Sequence, residues 1–183
     1  MSSEAEDLIL VDADDKEMGF LSKAECHNEG GVLHRAFSLF LFNQQGELLL
    51  QQRSAAKRLW PGFWSNSICS HPRRGESMLM ATQRRLRDEL NIEASLEFVY
   101  KFSYQEAFGD LGSENELCHV YFGRVADRLR PNENEIDGIR FVAPQDLARE
   151  FAAAPAKFTP WFKLEWQTLL EEHRDKLADY CSA

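Results

Sequence analysis

The chain has 183 residues, 44% of them hydrophobic, and 30 acidic side chains against 21 Lys and Arg, for a formal net charge of −9. That size and apolar content suit a single domain over residues 1–183 with its own core, and the acidity argues against nucleic acid as a partner. No apolar run is long enough to span a bilayer, the start MSSEAEDLIL has neither the basic region nor the apolar core of an export signal, and Cys26, Cys69, Cys118 and Cys181 form no disulfide framework, so a cytoplasmic protein with reduced thiols is expected.

In chain order, residues 8–11 and 17–21 read as a hairpin around Asp12-Ala13-Asp14-Asp15. Ser22 is placed to cap a helical turn from Lys23 to His27. After the loop Asn28-Glu29-Gly30-Gly31, His34 to Phe42 is apolar and aromatic, a buried strand, and Glu47 to Arg53 returns from the turn Asn43–Gly46. Pro61-Gly62 breaks the chain before Phe63 to Cys69. Gly75-Glu76-Ser77 opens a helix that ends near Asn91. Strand character follows at Ile92 to Ala107 and Leu117 to Val125, with Phe108 to Glu116 read as the loop between them. Gly138 to Val142 is a further short strand. Pro144 starts a helix that Pro155 ends. Thr159-Pro160 reads as a cap with proline at the first helical position, opening one long amphipathic helix from Trp161 to Tyr180. Strands and helices mixed without regular alternation give α+β, a mixed sheet sandwiched between helices.

Charge is uneven. From Gln51 to Leu90 there are eight basic residues (Arg53, Lys57, Arg58, Arg73, Arg74, Arg84, Arg85, Arg87) and three acidic ones (Glu76, Asp88, Glu89), a local balance of +5. One basic region in an acidic chain points to a small anionic ligand; a solvated helix face is the alternative. Helical register puts Arg85 and Glu89 on one face, a pairing suited to a phosphate held with a metal. No apolar surface stripe stands out, and a monomer is expected.

Cys69 and His71, two apart in an extended segment, are able to point to one side. His27 and His34 flank the Gly-Gly loop, and Glu114 and Glu116 are two apart. Together with His71 they offer three imidazoles and two carboxylates, a donor set for Mn, Mg, Zn or Fe; surface or core histidines are the alternative. His119 and His173 read as structural. Near Cys69, the arginines would lower the thiol pKa and an apolar wall would raise it. The thiol is then either a proton-transfer group or nucleophile, or an inert buried side chain like the other three.

The helix end Arg84-Arg85-Leu86-Arg87-Asp88-Glu89 resembles the Nudix box, which runs Gly, five residues, Glu, seven residues, Arg-Glu-apolar-x-Glu-Glu-x-Gly. Arg85 replaces the Glu after the Arg, Asp88 the first of the Glu pair, and Asn91 the final Gly. With Gly75 read as the box glycine, Ala81 stands for the first Glu. Glu89 keeps a metal-ligand position of the family. The altered box implies diphosphate binding without diphosphate hydrolysis.

Beyond the box, the chain resembles the type I isopentenyl-diphosphate delta-isomerases, which have the Nudix fold. The matching pieces include Lys23-x3-His27, Leu33-His34-x-Ala36-Phe37-Ser38, Arg53-x3-Lys57-x2-Trp60-Pro61-Gly62-x-Trp64, Asn66-Ser67-x-Cys69-x-His71-Pro72, Glu114-Asn115-Glu116 and Thr159-Pro160-Trp161. The resemblance implies a Nudix-like sheet with an N-terminal extension and a long C-terminal helix. It also implies interconversion of isopentenyl and dimethylallyl diphosphates, in isoprenoid precursor synthesis, by a 1,3-allylic proton shift through a carbocation. By the same resemblance Cys69 and Glu116 are the acid–base pair, Tyr104 hydrogen-bonds near Glu116, and the Trp161 indole faces the cation. Lys23, Arg53, Lys57 and Arg85 hold the diphosphate. Mg²⁺ sits on Glu89 and the Cys69 backbone carbonyl, and a second divalent cation (Mn²⁺, Mg²⁺ or Zn²⁺) on His27, His34, His71, Glu114 and Glu116.

Overall fold

The computed structural model describes residues 4–181. Its organising strand is β3 (His34–Phe42). The period-2 alternation of a strand sends Ala36, Phe40 and Phe42 to one face and Phe37, Leu39 and Leu41 to the other, and both sets are buried. A strand apolar on both faces needs cover on both.

Helix α2 (Met78–Leu90) covers one face with Ala81, Leu86 and Leu90. Helices α3 (Pro144–Ala153), α4 (Pro160–Glu172) and α5 (Arg174–Cys181) cover the other with Leu147, Trp161, Phe162, Trp166, Leu169 and Leu177. The sheet is thus mixed and sandwiched between helices, as the sequence predicts.

β3 pairs in parallel with β8 (Ser113–Arg124), and β8 pairs antiparallel with β7 (Leu96–Ala107). On its other side β3 takes the short β6 (Ile68–Ser70), with Ser38 opposite Cys69. The hairpin β1 (Asp7–Val11) and β2 (Glu17–Ser22) joins β3 at Leu10, opposite His34. β4 (Leu48–Arg53) lies between β9 (Ile136–Val142) and β5 (Trp64–Ser65).

Local chemistry sets the element ends. Ser22 accepts from the Glu25 amide to start α1 (Lys23–Cys26), leaving His27 as its C-cap. Ser77 caps α2 through the Met80 amide, and Asn91 ends it in the left-handed region at φ 55°, a conformation Asn tolerates.

Three sequence expectations are corrected. The C-terminal helix is two helices broken at His173, whose ring stacks on Tyr100 at 4.8 Å. The break turns Tyr180 back onto Phe42 and Phe122; no Pro or Gly marks it, and both halves keep an apolar face, so periodicity runs through. Glu114 and Glu116 lie in strand β8 rather than a loop, because burying alternate carboxylates erases the usual strand signal. Thr159 occupies the N-cap position of α4 without a side-chain cap; its hydroxyl pairs with Ser65 Oγ at 2.9 Å instead.

Candidate active site

Three strand registers and one helix end bring the chemistry together. Glu116 on β8 lies opposite His34 on β3 and opposite Tyr104 on β7. His71 follows β6, and His27 ends α1. The three imidazole rings lie 4.8–5.4 Å apart. One ligand atom from each of His27, His34, His71, Glu114 and Glu116 falls within 4.8 Å of all the others.

Glycine makes this closeness possible. A Cβ at Gly112 (φ +142°) would lie 2.2 Å from the His27 carbonyl oxygen. A Cβ on Gly31 (φ +75°) would press on Asn115, between the two glutamates.

The donor atoms suit a divalent cation. His34 Nδ1 is 2.7 Å from the Val32 carbonyl, which fixes the ring so that Nε2 faces the cluster. His27 Nε2, His34 Nε2 and Glu114 Oε2 are buried with no hydrogen-bond partner among the described residues, although His27 Nε2 and Glu114 Oε2 are 2.9 Å apart. Buried polar atoms left unpaired are costly, and nitrogen and carboxylate donors converging on one point are what a cation of this class takes. His71 Nε2 is 2.8 Å from Glu116 Oε1, and Tyr104 donates to Glu116 Oε2 at 2.5 Å.

Electrostatics divides the cluster. Burial pulls His27 down, but the Glu114 carboxylate outweighs it and leaves the imidazole above its ordinary range. Burial, then His34 and His27, hold His71 well below. Burial alone would raise Glu116; the His34 interaction overrides it and keeps the carboxyl low. Tyr104 is pushed well up by burial and by Glu116.

Cys69 lines the same cavity as His71, Glu114 and Glu116. Its thiol donates to Asn66 Oδ1 at 2.8 Å and accepts the Trp161 indole N–H at 3.1 Å. Of the two influences weighed from sequence, burial wins over Arg53, and the thiol pKa is pushed up to about 12, with Glu165 adding to it. The Trp161 ring carries the Arg53 guanidinium over one face, 5.2 Å from its centre, and meets Trp60 edge-on at 5.1 Å. Trp60 holds φ +47°, a strained backbone for a bulky residue.

Cys69, His71, Tyr104, Glu114, Glu116 and Trp161 line one inner cavity of about 50 Å³ together with Lys23, Arg53, Lys57 and Arg85. An outer cleft of about 280 Å³ shares Lys23, Arg53, Lys57 and Glu114 with it. Every site residue expected from sequence except Glu89 and His34 is on these walls or, for His27, on the cleft; His34 lies behind in the His/Glu cluster and Glu89 behind Arg85.

Arg85 and Glu89 are both 2% exposed. Arg85 Nε donates to Glu89 at 2.8 Å, and Gln51 donates to the other Glu89 oxygen at 3.2 Å. Arg85 Nη1 is buried with no hydrogen-bond partner among the described residues, a donor set aside for an anion.

Counted back from Arg84, the seven-residue spacing of the box falls at Glu76, not Ala81. Glu76 does grip Arg84, at 2.8 and 2.9 Å, while Ala81 packs in the core. The first carboxylate of the box is therefore present.

Sequence reading passed over Glu135 and Glu165. Glu135 (2% exposed) pairs with Lys57 and Arg85; in the polar stretch Asn132-Glu133-Asn134-Glu135 nothing in the sequence sets it apart from Glu133. Glu165 (0% exposed) lies 3.6 Å from Cys118 Sγ. Its signal was there: it stands four residues after Trp161, on the apolar stripe of α4.

Comparison with known proteins identifies the family. Residues 32–162 match the NUDIX domain model. Isopentenyl-diphosphate Delta-isomerase 1 of Photorhabdus laumondii is 43% identical over 175 residues, covering 94% of this chain and 99% of that protein. The Serratia proteamaculans isopentenyl-diphosphate Delta-isomerase is 47% identical over 156 residues, covering 85% and 86%. Among solved structures, DR0079 of Deinococcus radiodurans superposes with TM-score 0.67 at 27% identity, covering 81% of this chain and 90% of that one. The MutT protein of Methanosarcina mazei, with TM-score 0.59, 15% identity and coverage of 73% and 89%, shares the fold. A NUDIX domain over most of its length, with relatives above 40% identical along nearly their full chains, makes this protein a member of the isopentenyl-diphosphate Delta-isomerase family within the NUDIX fold.

Proposed function

We infer that the chain interconverts isopentenyl and dimethylallyl diphosphates by moving a proton across an allylic system. The observation that carries the reading is that Cys69, Tyr104, Glu116 and Trp161 wall one cavity with Lys23, Arg53, Lys57 and Arg85. The four cations take the diphosphate, and the acid–base groups are then set beside the five-carbon chain.

The reaction adds a proton to the terminal methylene carbon, passes through a tertiary cation, and removes a proton from the carbon on the other side of it. This requires one group that gives and one that accepts. Cys69 and Glu116 are that pair, and they exchange roles between the two directions. Tyr104, hydrogen-bonded to Glu116, holds its carboxylate and passes a proton to or from it. Trp161 offers an electron-rich face without a nucleophilic atom, while Trp60 and Phe108, in contact at 5.1 Å, help exclude water that would trap the cation.

His27, His34, His71, Glu114 and Glu116 would hold one divalent cation (Mn²⁺, Mg²⁺ or Zn²⁺) and Glu89 with the Cys69 carbonyl a Mg²⁺. The first would supply charge that tunes the proton affinity of Glu116, and the second would offset the charge of the diphosphate.

The test is proton NMR of isopentenyl diphosphate in D₂O with the protein and Mg²⁺. Deuterated dimethylallyl diphosphate is expected, and none with Cys69→Ala. Release of inorganic phosphate or diphosphate instead, or unchanged turnover in Cys69→Ala, would overturn the reading.

A further inference from the structure

We propose that Glu135 is a positioning residue for the diphosphate, holding the Lys57 ammonium and the Arg85 guanidinium in the places from which they bind it. The inference rests on the reading of this site as a diphosphate site.

Lys57 and Arg85 belong to different parts of the chain. Lys57 is in the loop after β4, and Arg85 is on α2. Glu135, on a third part of the chain, contacts both. Its carboxylate Oε2 accepts from Lys57 Nζ and lies 3.4 Å from Arg85 Nη2.

Glu135 is itself anchored by its backbone. Its amide donates to the Asn132 carbonyl at 2.9 Å, and its carbonyl accepts from the Ser54 amide at 3.3 Å. Asn132 ties the same turn to the end of α2, donating from its backbone to the Glu89 carbonyl at 2.8 Å and from its side chain to the Asp88 carbonyl at 3.1 Å. Ala55, two residues before Lys57, donates to Asp137 Oδ2 at 2.9 Å. The turn before β9 thus clamps both the Lys57 loop and the α2 terminus.

The contacts leave the binding surfaces open. On Arg85 the Glu89 and Glu135 carboxylates take Nε and Nη2, and Nη1 stays without a hydrogen-bond partner among the described residues. Lys57 and Glu135 line the outer cleft beside Lys23 and Arg53.

As a bare charge, Glu135 opposes an incoming diphosphate. Lys57 and Arg85 bring two positive charges, and Glu89 and Glu135 cancel both formally. Raw attraction would be served better without Glu135. What it supplies is order: an ammonium on a four-carbon stem, one of the most flexible side chains, is already in place before the ligand arrives, and less freedom is lost on binding.

The experiment compares wild type with Glu135→Gln, Glu135→Asp and Lys57→Ala, the last also in the Glu135→Gln background. KM and kcat are measured with isopentenyl diphosphate, and the Kd of inorganic diphosphate by calorimetry in the same Mg²⁺ buffer. In Glu135→Gln, KM and the Kd of inorganic diphosphate are expected to rise about tenfold while kcat stays within about twofold. Glu135→Asp, which keeps the charge, is expected to recover part of the loss. Lys57→Ala is expected to weaken binding less in Glu135→Gln than in wild type, since Lys57 is already unmoored there. A fall in KM would mean that charge repulsion dominates and would overturn the proposal. So would a loss of thermal stability with KM and Kd unchanged. If wild type leaves isopentenyl diphosphate unconverted while Glu135→Gln still weakens inorganic diphosphate, the isomerase reading fails and the positioning role stands.

Discussion

The indole N–H of Trp161 points at the sulfur of Cys69, 3.1 Å away, while the Arg53 guanidinium covers one face of the same ring at 5.2 Å. One side chain therefore meets the Cys69 thiol by its edge and the Arg53 guanidinium by one face, with the Tyr104 ring 6.2 Å from its own. Trp161→Phe keeps an aromatic ring but loses the N–H and the stronger π face. A desolvated cation–π contact is worth about 2 kcal/mol, so kcat is expected to fall roughly 30-fold. Steady-state kinetics checks this, and a drop in KM alone would contradict it.

Tyr104 and Glu116 form a second such pair, with the Tyr104 ring 6.2 Å from that of Trp161. The Tyr104 hydroxyl donates to Glu116 Oε2 and, pushed well above its ordinary pKa by burial and by that carboxylate, stays protonated. Tyr104→Phe removes the proton and keeps the ring. Proton transfer by a positioned side chain is worth about 10²–10⁴-fold. A fall in kcat toward the lower end of that span is expected, because Glu116 remains, with thermal stability close to wild type. Turnover equal to wild type would exclude Tyr104 from the chemistry.

Part of the cluster that the structure brings together was legible in short, dense motifs, while Tyr104 and Trp161 were named only through the family resemblance. Cys69-x-His71, Glu114-x-Glu116 and the Arg85/Glu89 pair each combine a chemistry with a spacing that fixes a common side. The fold was legible where apolar periodicity is strong, as in β3 and α2. What failed were features set by distant partners. The helix breaks at His173, whose ring stacks on the distant Tyr100, and Glu135 stands out only through Lys57 and Arg85. The start of β8 was hidden for a further reason: Glu114 and Glu116 are buried polar residues, and a strand is recognised by buried apolar ones.

Gly112 offers a test of how tightly the proposed metal ligands are packed. It holds φ +142°, and a Cβ there would fall 2.2 Å from the His27 carbonyl oxygen. That contact is backbone, so Gly112→Ala has to displace His27 or the start of β8, which carries Glu114. The strained backbone alone costs about 1–3 kcal/mol. A lowered thermal midpoint and at least tenfold weaker divalent-cation affinity are expected, measured by calorimetry with Mn²⁺. Affinity equal to wild type would mean that the His27 contact is dispensable.

Metal removal bears on the same cluster. Buried atoms on His27, His34 and Glu114 have no hydrogen-bond partner among the described residues; a protonated His27 pairs with Glu114 at 2.9 Å, whereas one cation between them would satisfy all three. A cation that binds the folded chain alone stabilises it by about 2.7 kcal/mol at a concentration 100 times its Kd. Dialysis against chelator is expected to lower the thermal midpoint, with Mn²⁺ or Zn²⁺ restoring it. His34→Ala, which removes a ligand fixed by the Val32 carbonyl, is expected to abolish the restoration. Recovery of the midpoint in His34→Ala to the wild-type extent would remove His34 from the ligand set.

Glu165 gives the stability a pH dependence that a buried carboxyl alone produces. It is 0% exposed, and burial, reinforced by the Glu116 charge, raises its pKa from 4.5 to about 8. The folded chain therefore keeps a proton that the unfolded chain has already released. Below about pH 4.5 both states hold it, and Glu165 carries no penalty. As pH rises through the window from 4.5 to about 8, stability falls, and above about 8 the full cost is present. At about 1.36 kcal/mol per pKa unit, that cost is at most on the order of 5 kcal/mol. Glu165→Gln keeps the shape and an oxygen for Cys118 and removes the titration. Urea unfolding at pH 5 and pH 9 is the measurement: the variant is expected to match wild type closely at pH 5 and to exceed it by a few kcal/mol at pH 9. Every other titrating group is common to both proteins, so the difference between them isolates Glu165. A constant offset between the two proteins across that range would mean that Glu165 does not titrate there.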